Sequence, residues 1–279
     1  MKLVFTVDLD RDANIEVPGQ TEAGSADRGE GTAPRFSSSG WALARYADML
    51  DSIGMPAAFF CEGRTAEALK DEMGCLDRFE LGIHGYDHEN LTHRIPRAEA
   101  AAAVRHGFDA VKDVTGRTPS AFRAPYMHQP KAVAAFLRDT GTGILTDSSM
   151  YASGPGSFPF ALPGYVAEVP VTEGTGPEGG AMSGYFWAMH EGKRPPEDYS
   201  FLAKSVPEDG TLVLADHVWH IRESRASGVR SDEDSQKELD FVSEVLRALM
   251  DAGAEPETLS DAASDAYMNP GPSDGADSE

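Results

Sequence analysis

The sequence predicts an α/β fold in which parallel strands are joined by right-handed helical crossovers. Three observations carry that prediction. Short apolar runs alternate with helix-period segments along the chain. The 279 residues are 41% hydrophobic and 25% charged, enough to bury a sizeable core. Acids and histidines fall directly after the predicted strands, the edge at which parallel α/β folds collect their ligands.

The first strand is read at Leu3 to Val7, and six more at Ala57 to Phe60, Glu80 to Ile83, Ala121 to Arg123, Gly143 to Leu145, Val166 to Val169 and Thr211 to Ala215. The first helix takes Ser38 or Ser39 as its N-cap, buries Leu43, Ala47 and Leu50, and stops at Gly54 and Pro56. A second covers Thr65 to Met73. The third opens at Pro96 and runs to Gly116, the fourth covers Pro130 to Thr140, and a short fifth covers Asp198 to Lys204. The last is Ser235 to Ala252, with Leu239, Val242, Val245, Leu246 and Leu249 in a stripe at 3.6 spacing. The acid run Ser231 to Asp234 reads as its solvated lead-in.

Length is compatible with one barrel-sized domain or with two smaller ones, and the strand and helix pattern suits an α/β barrel or an open doubly wound sheet alike. No internal repeat is present. Residues 11–35 form a long irregular segment after the first strand, the kind of loop that is functional or mobile. The single domain is expected over 1–265, followed by a disordered acidic tail over 266–279.

Lys plus Arg number 24 against 46 Asp plus Glu, a formal charge of -22. Such a field repels phosphate backbones and anionic lipid, so neither nucleic acid nor membrane is an expected partner. The N-terminus has too few apolar residues before Asp8 for a secretory signal, and no run is long enough to span a bilayer. Cys61 and Cys75 make no disulfide framework and no zinc ribbon and are read as free thiols. These features together predict a cytoplasmic protein. An oligomer is compatible with the sequence, which carries no signal of one.

Asp8 and Asp10 close the first strand, and His84 and His88 follow the third. Two histidines four apart on a helix would share a face, but Gly85, Asp87 and Asn90 discourage a helix here. The pair is therefore placed in a tight strand-to-loop segment. Two imidazoles and one carboxylate suit zinc and leave a coordination position open for water or a substrate carbonyl. Arg123-Ala124-Pro125-Tyr126 follows the fourth strand, Asp147-Ser148-Ser149 the fifth, and Asp216-His217 ends the seventh.

This order of motifs resembles the NodB-homology polysaccharide deacetylases, the family 4 carbohydrate esterases. The resemblance runs from about Met1 to Ala263 and rests on Thr6-Val7-Asp8-Leu9-Asp10, His84-Gly85-Tyr86-Asp87-His88, Arg123-Ala124-Pro125-Tyr126, Asp147, and Leu212 to His217. It implies a distorted (β/α)7-type barrel. It also implies one divalent ion, with zinc expected and cobalt or another divalent ion as alternatives, held by Asp10, His84 and His88. Asp8 would be the general base, Arg123 would keep it ionised, and the Tyr126 backbone N–H would help hold the oxyanion. His217 would protonate the departing amine, with Asp147 supporting its cationic form.

The chain departs from the commoner family pattern in two places. Leu9 separates acids that are usually adjacent, an Asp-x-Asp opening that looks like the branch containing peptidoglycan deacetylase relatives and cyclic-imide or allantoin hydrolases. The aromatic residue that usually follows the Asp147 motif is missing, and Trp187 or Trp219 is a candidate to line the pocket in its place. The expected reaction is hydrolysis of a non-peptide carbon–nitrogen bond, foremost N-deacetylation of an N-acetylated sugar, with ring opening of a small cyclic amide as the alternative. An inactive carbohydrate-binding scaffold is the third reading, disfavoured because base, ligands and acid are all present. His93, His106, His128, His190 and His220 match no motif and are read as surface or core residues, with His128, near Tyr126, the first exception to test.

Overall fold

In a computed structural model, residues 1–92, 95–154 and 157–268 are described. Seven parallel strands carry the sheet: β1 (Lys2–Leu9), β2 (Ala57–Cys61), β3 (Glu80–Ile83), β4 (Ala121–Phe122), β5 (Thr146–Asp147), β6 (Val166–Glu168) and β7 (Thr211–His217). Their spatial order is β7-β1-β2-β3-β4-β5-β6, with the short strand Phe160–Leu162 antiparallel on the far edge and Glu255–Glu257 added beside β1. The sheet curls into a half-barrel. Across the gap between its edges, the Val213 N–H donates to Thr172 Oγ1 at 2.9 Å and the Ala215 N–H to the Gly184 carbonyl at 3.0 Å.

Side chains alternate along β1, and the alternation explains where the acids go. Leu3, Phe5, Val7 and Leu9 are buried in the outer layer against the helices, while Val4 belongs to an inner cluster with Ala58, Phe60, Val213 and Ala215. Asp8 and Asp10, two apart, share the inner face of the strand end. Leu9 between them is a core residue of the other layer. An Asp-x-Asp spacing is therefore what a straight strand needs to send two carboxylates into one mouth.

Six helices cover the outside: α1 (Ser37–Ile53), α2 (Gly63–Ala68), α3 (Arg97–Thr115), α4 (Val133–Thr140), α5 (Tyr199–Ala203) and α6 (Asp232–Asp251). A one-turn helix, Trp187–His190, and α7 (Leu259–Asp265) were not foreseen. The cap of α1 is also not where the sequence puts it. Ser38 and Ser39 are inside the helix, and Asp12, from the preceding loop, takes the Ser38 and Ser39 N–H groups on its two carboxylate oxygens, each at 2.8 Å. The acid run before α6 is its cap and first turn: Ser231 accepts from the Asp234 N–H, and three acids sit at the positive end of the helix dipole. The fifth strand lies at 146–147 rather than 143–145, because Gly143 turns with φ +78 and Leu145 points outward.

Residues 14–25 are a β-hairpin, Asn14–Glu16 with Ala23–Ser25, inside the segment expected to be irregular. Ala266 is buried in a 3-10 turn ending at Met268, so the packed domain extends past the boundary expected at 265; the rest of the tail, with His93, lies outside the described residues. Cys61 and Cys75 are free, as expected, and burial pushes the Cys75 thiol up to about 11. Among the described residues no helix is long and apolar enough to cross a membrane.

Candidate metal centre and catalytic pocket

The histidine turn is fixed by close backbone packing. Gly85 adopts φ +73 and His88 φ +53, and the turn lies so close to α3 that a side chain at Gly107 would collide with the Gly85 carbonyl. His84 Nδ1 is 2.9 Å from the Arg123 carbonyl, a partner that only an N–H can satisfy, so Nδ1 carries the proton and Nε2 is free as a ligand. His88 Nε2 is 3.3 Å from Asp10 Oδ2.

One ligand atom from each of Asp10, His84 and His88 lies within 4.8 Å of the others. Asp10 Oδ1 and His88 Nδ1 are buried with no hydrogen-bond partner, an arrangement that costs free energy unless something fills it. Burial pushes the Asp10 carboxyl up to about 7, a shift that a bound cation would reverse, and burial together with His84 holds His88 well below the usual histidine range, hence neutral. Two imidazoles and a carboxylate with an open valence fit a divalent ion.

Asp8 is next to this cluster and is held differently. Arg123 Nη1 donates to Asp8 Oδ1 at 2.9 Å, and the Tyr185 hydroxyl donates to Oδ2 at 2.7 Å. Although burial alone would raise its pKa, Arg123, His84 and His217 bring Asp8 down to about 2. Arg123 is itself immobilised, with further hydrogen bonds to Thr6 and Ser148 and its guanidinium 4.3 Å from the Phe60 ring centroid. His217 Nε2 approaches Asp8 Oδ2 to 3.7 Å, and burial lowers its pKa. Tyr126, at φ +59, sets its ring edge-on to His88 with centroids 4.4 Å apart.

One expected role moves. Asp147 is not a partner of His217: its oxygens accept from Ser149 Oγ at 2.5 Å and Gln129 Nε2 at 2.7 Å, and it pairs with the buried Glu168. Ser149 Oγ in turn accepts the Ala124 N–H at 2.8 Å, so Asp147 braces the turn that carries Arg123 and Tyr126. The carboxylates that act on His217 are Asp10, Asp8 and Asp216. The reason is strand geometry: Asp147 ends a two-residue strand whose neighbours are β4 and β6, and β7 pairs with β1.

The pocket enclosed by these groups has a volume of about 250 Å³. Trp187 lines it and Trp219 is packed behind, which settles the choice between them. The sequence reading missed Asn14, Met127, Tyr151, Tyr185, His220 and Arg225 as lining residues. Only His220 had a signal, its spacing of three from His217. His128 is exposed and within 3.1 Å of Asn90, and His106 stacks on Tyr86 outside the pocket.

Comparison with known proteins agrees with this fold. Residues 39–144 match the polysaccharide deacetylase family. A peptidoglycan deacetylase of Helicobacter pylori is 27% identical over 86 residues, a match covering 30% of this chain and 29% of that protein. Among solved structures, a candidate polysaccharide deacetylase from Mycobacterium smegmatis aligns with a TM-score of 0.65 at 21% identity, over 94% of this chain and 88% of the other. The Puue allantoinase aligns with a TM-score of 0.66 at 12% identity, over 94% and 89%.

Proposed function

We propose that this chain, a relative of the polysaccharide deacetylases in sequence and in fold, is a metal-dependent hydrolase that removes an acetyl group from the nitrogen of an amino sugar. The observation that carries the reading is the pairing of Asp8, pinned and ionised by Arg123 and Tyr185, with the open-valence cluster Asp10, His84 and His88 beside it.

Asp8 is positioned to take a proton from a water that attacks the amide carbonyl, and its two hydrogen bonds fix the direction in which its oxygens point. A carboxylate held near 2 is a weak base, and a divalent ion on Asp10, His84 and His88 supplies the complementary chemistry, acidifying water and polarising the carbonyl. Neutral His217 takes up the proton gained by Asp8 across the 3.7 Å contact and delivers it to the nitrogen as the carbon–nitrogen bond breaks. One water proton ends on the nitrogen and the other on the new carboxyl group, so acetic acid and the free amine leave, equivalent to acetate and ammonium once that second proton passes to the amine. The Tyr126 N–H is the proposed donor to the oxyanion.

A second reading, ring opening of a small cyclic amide on the same residues, is favoured by one observation. The pocket is small, and Asn14 and Arg225 bring the 14–25 hairpin and the 223–229 hairpin to one side of it. Arg225 ties the second hairpin to Asn14 of the first, and Arg28 and Arg35, from the segment that follows the first, pair with Glu223. A panel of N-acetylglucosamine oligomers and cyclic imides, assayed on metal-reconstituted protein, tests both. Acetate release supports deacetylation, ring-opened acid alone supports the second reading, and neither product overturns both.

A further inference from the structure

One side of the pocket mouth holds a cation whose side chain has no acid partner among the described residues, Glu191 accepting only its backbone N–H at 2.7 Å. Arg225 lines the mouth, and its Nη2 donates to both the carbonyl oxygen and Oδ1 of Asn14, each at 2.9 Å. Asn14 is itself anchored at the chemistry, since its amide donates to Asp10 Oδ2. Arg225 is an exposed residue, but its guanidinium is held in place by a residue that touches the proposed metal cluster.

Its arginine neighbours each reach a carboxylate. Arg28 and Arg35 share Glu223, Arg222 pairs with Asp232, and Arg230 pairs with Glu238. Arg225 forms no ion pair with a described residue, and both Asn14 contacts are to neutral acceptors, which leave its charge unmatched. In a chain with 46 acids and 24 bases, an arginine left without a carboxylate at the mouth of a catalytic pocket is a place for an anion that the protein does not supply. The overall negative field would repel an anionic substrate, so a local cation is what such a substrate would require.

We propose that Arg225 is a specificity determinant, and that the substrate is a small amide bearing a carboxylate, which Arg225 receives while the amide lies against Asp8. This rests on the hydrolase reading above and narrows it. The size of the pocket sets the reach: the carboxylate must be within a few bonds of the amide. Nη2 is occupied by Asn14, so the contact comes from Nε or Nη1 as a single charge-assisted hydrogen bond, partly exposed to solvent.

Two matched pairs test the proposal and separate its possible sources: N-acetylglucosamine against N-acetylmuramic acid, and hydantoin against hydantoin-5-acetic acid. In each pair the second member adds a carboxylate. The wild-type protein and the variants Arg225→Gln and Arg225→Lys are compared by kcat/KM after metal reconstitution, and by calorimetric binding of the four compounds. The acid of at least one pair should be favoured about tenfold, as expected for one charged hydrogen bond near solvent. The preference should shrink as salt is raised. Arg225→Gln should bring the ratio towards one through KM, and Arg225→Lys should restore part of it. No preference in either pair, or a preference that survives Arg225→Gln, overturns the proposal. If nothing is hydrolysed but an acid binds in an Arg225-dependent way, the anion site stands and the deacetylase reading falls.

Discussion

Two buried polar clusters occupy adjacent residues of this chain and are built on opposite principles. Asp10 and His88, with His84, leave Asp10 Oδ1 and His88 Nδ1 without partners. Arg11 and Asp87, one position away from each, belong to a network in which every charge is answered. The Arg11 N–H donates to Glu62 Oε2 at 2.8 Å, and its side chain reaches Glu62, Asp87 and the Ala23 carbonyl. Arg64 reaches Asp87 at 2.7 Å, and Thr65 reaches Glu62 at 2.8 Å. The second cluster ties β1, β2 and the histidine turn into one unit. Open valences mark where a ligand belongs, and closed ones mark the frame that holds the open ones in place.

The two kinds of cluster should fail differently. Asp8→Asn strikes the chemical side: turnover should fall by roughly 10² to 10⁴, the contribution of a positioned base, and some stability is lost with it, because asparagine keeps an acceptor for Arg123 but not the countercharge. Loss of metal in this variant would instead make Asp8 a ligand. Arg11→Ala strikes the frame and leaves Glu62 as a buried, uncompensated carboxylate. A loss of about 3–5 kcal/mol is expected, seen as a lower denaturant midpoint. A variant as stable as wild type would show that the network is dispensable.

A third buried cluster gives a pH test. His190 lies between Glu238, at 2.6 Å, and Asp216, at 3.1 Å; burial alone would lower its pKa, but the two carboxylates raise it to about 9. Because the folded value lies above the unfolded one of about 6.5, this stabilisation is complete below about pH 6.5 and is lost as pH rises through about 9. It is worth on the order of 2–3 kcal/mol. Wild-type melting temperature should therefore drop between those values more steeply than that of His190→Gln, and parallel slopes would contradict the pairing. The smallest effect is expected at Asp12. Asp12→Ala removes the cap of α1 and should cost about 1–2 kcal/mol without changing metal affinity.

The strands and long helices were legible in the sequence because apolar periodicity is local: α3 starts after Pro96 and ends before Gly116, as read, and β3 matches residue for residue. The motif residues that meet at the mouth were legible because each follows a strand end. What escaped depends on contacts distant in the chain. Asp12 caps a helix that begins twenty-five positions later, which no local pattern announces. Asp147 was assigned to His217 from motif order, yet order does not say which strand lies beside which. Tyr185 reaches Asp8 from an irregular segment that fills the gap in the barrel, and Arg225 enters the pocket only because two hairpins meet. Neither segment has a periodicity to read.

The central claim is that Asp10, His84 and His88 hold one divalent ion and that Asp8 does not. Metal content after reconstitution and desalting, measured in parallel on wild type, Asp8→Asn and His84→Ala, tests it most directly. The account predicts one ion per chain in wild type and in Asp8→Asn, and loss of the ion in His84→Ala, where only two protein ligands remain. Full occupancy in His84→Ala, or an empty site in Asp8→Asn, would contradict it.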